Sequence, residues 1–261
     1  LAYDHHDWDD NTPVATSALD GQSTGALTGA VVSSKPKRVS NNGNPNFSAQ
    51  IDGLYLTSRF NIGEMELASY TMGRQETSKS VLDLDSSSQT LFHNFFNIEN
   101  ESFSQEFNVS GAALDDKLDW IAGLYYLNVN EDYTDLEVQA GGVPVWLPLY
   151  NVASTIQTTA IFTDMTYSFS DEWMLTVGMR YSTEEAEGMF NIKSPYGPAF
   201  TGVPAGKGYL DDDWSSFTPR GVLAYKPSTE EKIYLSVSKG FKAGQISPSS
   251  LGDVAVDPEN I

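Results

Sequence analysis

The 261-residue chain carries thirty-five aspartates and glutamates against fifteen lysines and arginines, a formal net charge of −20. That balance excludes a basic nucleic-acid-binding surface, and the absence of cysteine excludes disulfide staples, thiolate metal sites and a cysteine nucleophile. Apolar residues at 40 % place the chain among folded proteins, and no run of about 18 apolar residues supplies a transmembrane helix.

The chain starts at Leu1 with no initiator methionine or basic-then-apolar leader, and it reads as a mature or truncated piece. Its first stretch, "LAYDHHDWDD", places two of three histidines among four aspartates and a tryptophan. In an extended strand the side chains alternate. Asp4, His6, Trp8 and Asp10 then point one way, and Tyr3, His5, Asp7 and Asp9 the other. His5 and His6 cannot jointly grip one ion, and zinc needs three or four ligands in fixed geometry. No metal is assigned. The stretch reads as a strand running into a long loop over 9–50.

"IDGLYLTSRFNIGEMELASYTMGRQE" follows as a hairpin with a tight turn at 61–64, and then a polar loop over 76–101. Within that loop "LDLDSSS" (82–88) offers oxygen ligands to a hard cation such as Ca²⁺, as does "LDDDW" (210–214) further on. Neither has the spaced D-x-D-x-D-G pattern, and both read as hydrated acidic surface. His93, in "TLFHNFFN", reads as a packed histidine. Strands are predicted near 103–111, 118–132, 154–167, 173–187, 214–226 and 232–242 from period-2 alternation. In "EWMLTVGMRY", Trp173, Leu175, Val177, Met179 and Tyr181 share one face. In "KIYLSVSKGF", Ile233, Leu235, Val237 and Phe241 do so. In 118–132 and 154–167 both faces carry apolar residues, and alternation does not choose between them.

Tight turns (113–117, 168–172, 226–231) alternate along the chain with long loops rich in Gly, Pro, Asn and Ser (133–152, 189–212, 243–260). Long loops of this kind are uncommon in compact domains. Their alternation with short turns, joined to strands of nine to fifteen residues, is the pattern of an all-β, antiparallel, up-and-down transmembrane β-barrel. Aromatics gathered toward strand ends fit interfacial girdles, and they fit the ordinary β-preference of aromatics equally.

Three stretches resemble one family. "FTPRGVLAYKPSTEEKIYLSVSKGFKAGQ" (217–245) is similar to a strand–turn–strand of TonB-dependent outer-membrane receptors, with its "TPR-x-G" and "SxSxGFKxG" strings. "DEWMLTVGMRYSTEEAEG" (171–188) resembles that family's "GxRYTxE" strand, and "FSQEFNVSGAALDDKLDWIAGLYY" (103–126) its "SQE…LDWxxGxYY" hairpin. The closing "DPENI" resembles the "PE" before a further strand. The resemblance implies plugged barrels of 22 strands that take up scarce nutrients, ferric siderophores most often. Its plug domain and TonB box are not in these residues. The expectation is therefore a partial barrel over 1–261, an incomplete slice of about nine strands with long extracellular loops. It further implies the outer membrane of a Gram-negative cell, contact with outer-membrane lipid, and the TonB–ExbB–ExbD complex acting through the missing N-terminal region. A small-molecule ligand such as a siderophore completes the set, with no cofactor and no nucleic acid.

No GxSxG, HExxH or P-loop string is present, and no catalytic residue is assigned. A binding role is expected instead. Loop aromatics Trp146, Tyr150, Tyr196, Phe200 and Trp214 can stack on a planar siderophore or a sugar. Arg180 and Arg220 fall on polar strand faces and would point into the lumen, toward an anionic ligand, the plug or barrel carboxylates. His5, His6 and Trp8 join them at an acidic extracellular mouth. The competing reading is a soluble secreted all-β module, saccharide-binding or hydrolytic, with its apolar faces buried in a water-soluble core.

Overall fold

A computed structural model of the chain describes residues 1–11, 40–85, 87–140, 147–193, 206–246 and 255–260. Nine strands form one antiparallel sheet in sequence order: β1 (Ala2–Asp10), β2 (Asn46–Ile62), β3 (Met65–Asp83), β4 (Phe92–Ala113), β5 (Leu118–Ala140), β6 (Leu147–Ser168), β7 (Trp173–Ile192), β8 (Gly206–Tyr225) and β9 (Ile233–Ser238). β10 (Phe241–Lys242) and β11 (Glu259–Asn260) make a small separate ladder. Among the described residues β1 and β9 do not pair, so the sheet is an open slice and not a closed barrel.

The predicted meander is present, but the connectors expected to be long at 76–101 and 133–152 shrink to 84–91 and 141–146, about the length of the 226–232 connector. Short connectors at 63–64, 114–117, 169–172 and 226–232 lie at one end, and connectors at 11–45, 84–91, 141–146 and 193–205 at the other. The tightest uses Gly63 at φ 64, followed by Glu64 without a positive φ, as a II′-type hairpin wants. Leu114, Asp115 and Asp116 in the β4–β5 turn all adopt left-handed φ near 60. Aspartate tolerates that region better than most residues.

The strands run further than alternation predicted. β4 begins at Phe92, inside the expected loop 76–101, and β5 continues to Ala140. β6 starts at Leu147, and β8 at Gly206. The reason is that alternation is enforced only where one face meets an apolar medium. Beyond it both faces meet water or protein, and a strand such as "FHNFFNIENE" shows no period.

Register settles which face is apolar. Directly paired residues share a face. Phe107, Leu124, Ile161, Tyr181 and Phe217 form one continuous row across β4–β8. Val109, Ala122, Thr163, Met179 and Pro219 form the next row. Phe107, Leu124, Ile161 and Phe217 are 49–58 % exposed. In 118–132 the outward set is therefore Leu118, Trp120, Ala122, Leu124 and Tyr126. In 154–167 it is Ile161, Thr163, Met165 and Tyr167, while Phe162 and Asp164 face the other way.

This apolar belt ends in aromatics on both sides. At the short-turn end Trp173 stacks on Tyr225 at 4.5 Å and Tyr167 meets Phe169 edge-on at 5.0 Å. Phe103 and Tyr126 meet at 6.3 Å at the other end. From Trp173 to Tyr181 there are eight steps of about 3.3 Å, which at a tilt of about 40° make the belt about 20 Å tall, close to a barrel's lipid-facing band. Directly above it on the same face runs a polar row, Asp52, Gln75, Glu101, Asn130, Thr155, Glu187 and Asp211. Hydrogen bonds from Gln75 to Glu101 (3.2 Å) and from Thr155 to Asn130 (3.0 Å) tie parts of it together.

Phe241 departs from expectation. β9 ends at Ser238, and the chain then turns inward. Phe241 packs with Ala243 and Ala255 against a buried cluster of Ala186, Trp214 and Ile246 on the concave face. The close approach is visible at Gly244, where a Cβ would meet the Trp214 ring and the Val256 carbonyl.

Candidate functional site

The concave face, opposite the belt, holds the predicted arginines. Arg180, on β7, lies over the Tyr125 and Phe162 rings at 5.4 and 5.7 Å, and its Nε donates to Ser182 Oγ at 2.9 Å. Phe162 can reach across because β5 carries Gly123 opposite it, where a Cβ would collide with the ring. Arg220, on β8, donates from Nη2 to Asp164 Oδ2 on β6 at 2.7 Å, spanning Gly178 of β7. Both arginines thus lie on the face opposite the belt, and each is held by this chain's own groups.

β1 divides its histidines as alternation requires. His6 stacks on Trp8 (5.5 Å between centroids, 11° between planes) with its Nε2 3.5 Å from Asp4 Oδ2. These three share the concave face with Ala49, Ile51 and Gly53 of β2. His5 lies on the outward face, its Nδ1 2.8 Å from Asp52 Oδ1. Tyr3 donates to the same oxygen at 2.6 Å, and Gln50 to Oδ2 at 3.1 Å. Asp52 sits in the polar row above the belt. Hydrogen bonds from Tyr3, then His5, then Gln50 hold its carboxyl down at about 2.

The predicted loop aromatics fare differently. Trp214 is not a loop residue: it lies within β8, 8 % exposed, under the inward-turned 241–246 segment. Tyr150 lies on β6, opposite Leu136 and Ile192. Trp146, Tyr196 and Phe200 lie outside the described residues. The nearest enclosed space is a cavity of about 330 Å³ between β5–β7 and residues 244–246, with Glu131, Tyr133, Glu184 and Gln245 in its lining. Burial pushes the Tyr133 phenol up, and the Glu131 charge adds to it.

One cluster escaped the sequence reading. Asp83, at the end of β3, pairs in register with His93 at the start of β4, and Asp85 lies in the connector between them. One ligand atom from each falls within 4.8 Å of the others, and all three side chains are buried. "LDLDSSS" and His93 were each visible in the sequence. Only the β3–β4 register, hidden inside an apparent loop, joins them.

The sequence model of one family, described as TonB dependent receptor-like, beta-barrel, matches residues 1–260. The chain belongs to the TonB-dependent receptor-like β-barrel family. Solved structures agree on the fold. The ferric yersiniabactin uptake receptor FyuA from Yersinia pestis is similar at a TM-score of 0.63 and 16 % identity, over 85 % of this chain and 33 % of that one. The unliganded ferric citrate transporter FecA gives 0.61 and 16 %, over 83 % and 31 %. The open form of the ferric-catecholate import receptor Fiu from E. coli K12 gives 0.64 and 12 %, over 95 % and 44 %. The chain therefore spans about a third to under half of the length of these three proteins. A comparison with curated protein sequences gives no match. The family is one of outer-membrane receptors and transporters, not of enzymes.

Proposed function

We propose that this chain is wall and loop structure of a Gram-negative outer-membrane receptor that takes up a ferric siderophore or another iron complex, using energy delivered through TonB. The observation that carries the reading is the two-sided sheet. One face bears a continuous exposed apolar belt closed by aromatics at both ends, and the other bears Arg180, Arg220 and their carboxylate and aromatic partners. Lipid is the medium that suits the first face, and a water-filled or plug-filled lumen suits the second. FyuA, FecA and Fiu are each named for an iron complex, which supports iron as the cargo class.

In this reading the slice spans 1–261 of a barrel whose plug and TonB-contacting segment belong to other parts of the receptor. His6 and Trp8 form a stacked platform on the inner side near the extracellular mouth. They make the first surface a planar, anionic chelate meets, while His5 lies on the outward face of the same strand. Arg180 and Arg220 add positive charge deeper in the wall. The soluble-module reading needs the belt buried in a core. A belt half exposed across the sheet, in a chain of this family, gives it no support.

The test is uptake of radiolabelled iron by cells expressing the full-length gene product, with and without a functional TonB. Accumulation from at least one siderophore class, lost without TonB, is the expected result. Equal accumulation in both strains, or none from catecholate, hydroxamate, phenolate or citrate complexes, overturns the iron-uptake reading. Recovery of the product in the soluble fraction without detergent overturns its membrane placement.

A further inference from the structure

We propose that Asp83, Asp85 and His93 form a binding site for a divalent first-row transition ion of the zinc type, fixed above the membrane at the base of the β3–β4 connector. Asp83 lies ten residues up β3 from Gly73, whose row carries Leu54 and Phe103 at the top of the belt. The cluster is thus about 33 Å further along the strand, clear of lipid.

Three observations make this more than an acidic cluster. First, His93 is 4 % exposed and its Nε2 is buried without a hydrogen bond. That nitrogen points between the carboxylates, 3.3 Å from Asp83 Oδ2 and 3.7 Å from Asp85 Oδ2, outside hydrogen-bonding geometry. An imidazolium serving only as a counter-charge would donate to one of them. Ligands bound to zinc at about 2.0–2.2 Å in a tetrahedron stand about 3.3–3.6 Å apart, and the three ligand atoms here, within 4.8 Å of one another, need to draw in only slightly to reach that spacing.

Second, the carboxylates are pre-oriented. Asp85 Oδ2 accepts from the Phe92 and Leu91 backbone amides (2.7 and 3.1 Å), and its Oδ1 from Ser87 (3.0 Å). Asp83 Oδ2 accepts from the Gly43 amide at 3.1 Å. Backbone donors of this kind hold ligating carboxylates in place.

Third, the donor set is selective. One imidazole nitrogen and two carboxylate oxygens suit zinc and its neighbours, whereas Ca²⁺ wants six to eight oxygens. The described residues supply three ligands, and a tetrahedral ion would take its fourth from water or from a further group.

The consequence is mechanical. Residues 40–45, which lead from the long β1–β2 connector into β2, are pressed onto the site. A Cβ at Gly43 would stand 3.2 Å from both Asp83 Cβ and His93 Cε1. Asn42 Nδ2 donates to Thr90 Oγ1 at 3.1 Å, reaching the β3–β4 connector. An ion at this point fastens two extracellular connectors to each other.

The test uses the full-length gene product in detergent, stripped with chelator and refilled with Zn²⁺ or Co²⁺. Expected is one equivalent of zinc per chain by elemental analysis, and for Co²⁺ the visible d–d bands of a low-coordinate N/O site. Both are lost in His93→Gln and in Asp85→Asn, and both persist in the double variant His5→Gln/His6→Gln. Heat-modifiable mobility on electrophoresis certifies that each variant keeps a folded barrel, and Asp83→Asn serves in place of any that does not. Metal that survives His93→Gln, metal that departs with His5 and His6, retention of Ca²⁺ alone, or no retained metal each overturns the site. The uptake reading stands apart from all four results.

Discussion

Arg220 and Asp164 meet at 2.7 Å, with their side chains 51 % and 34 % exposed. A pair that wet is screened, and the long arginine side chain is costly to order. Exposed ion pairs contribute about 0–1 kcal/mol. Arg220→Ala is therefore expected to lower the unfolding free energy of the full-length barrel by less than about 1 kcal/mol, measured by denaturant titration in detergent. Gly63 should matter more. Its φ is 64 and a Cβ there meets nothing within 4 Å, so substitution acts through the backbone alone. Gly63→Ala is expected to cost about 1–2 kcal/mol in the same titration. An Arg220→Ala effect larger than that of Gly63→Ala would mean that the arginine carries load beyond its visible partner.

Each strand is two-sided over only part of its length, and this sets both its stability and how far its sequence can be read. Val177 lies in the middle of the belt on β7, in the row of Trp120, Met165 and Gly221. Glu187 lies on the same strand and face, in the polar row above. Val177→Arg is expected to cost about 2–4 kcal/mol, and Glu187→Arg about 0–1, because a lipid-facing charge is penalised according to depth. Folding into lipid vesicles, followed by denaturant unfolding, measures both. Equal effects would remove the belt. The same depth dependence explains what the sequence showed. Inside the belt, "WMLTVGMRY" announced its faces without help. In β5 and β6 it did not, because Phe162 and Tyr125 are apolar residues turned inward to carry Arg180, and register was needed to separate them from Leu124 and Ile161. Above the belt no apolar medium imposes a period, so Phe92–Glu101 read as loop. The Asp83–Asp85–His93 cluster was lost with it, since its members meet only through that extension. The division of His5 from His6 was legible because it follows from alternation in one strand.

Pairing across the sheet sets the last expectation. β2 to β8 each have two neighbours, whereas β1 and β9 have one. β9 pairs β8 only between Ile233 and Ser238, opposite Tyr225 to Arg220, so among the described residues most of β8 toward Gly206 has no partner on that side in this sheet. In water such edges bond to solvent. In hydrocarbon each unpaired amide or carbonyl costs several kcal/mol, and closure is the remedy barrels use. The belt cannot offset this by itself, because its apolar residues gain from lipid only if the backbone beside them is also satisfied there. Nine strands are also too few to surround a plug of the kind that 22-stranded outer-membrane transporters hold. The isolated 261-residue chain, refolded into liposomes, is accordingly expected to accumulate no ferric siderophore above protein-free vesicles, and to run on native electrophoresis as a self-associated species whose copies cover each other's edges. Monomeric chain that resists protease in the bilayer and concentrates the complex inside would show that this sheet closes on its own, and would remove the reason for assigning it to a larger wall.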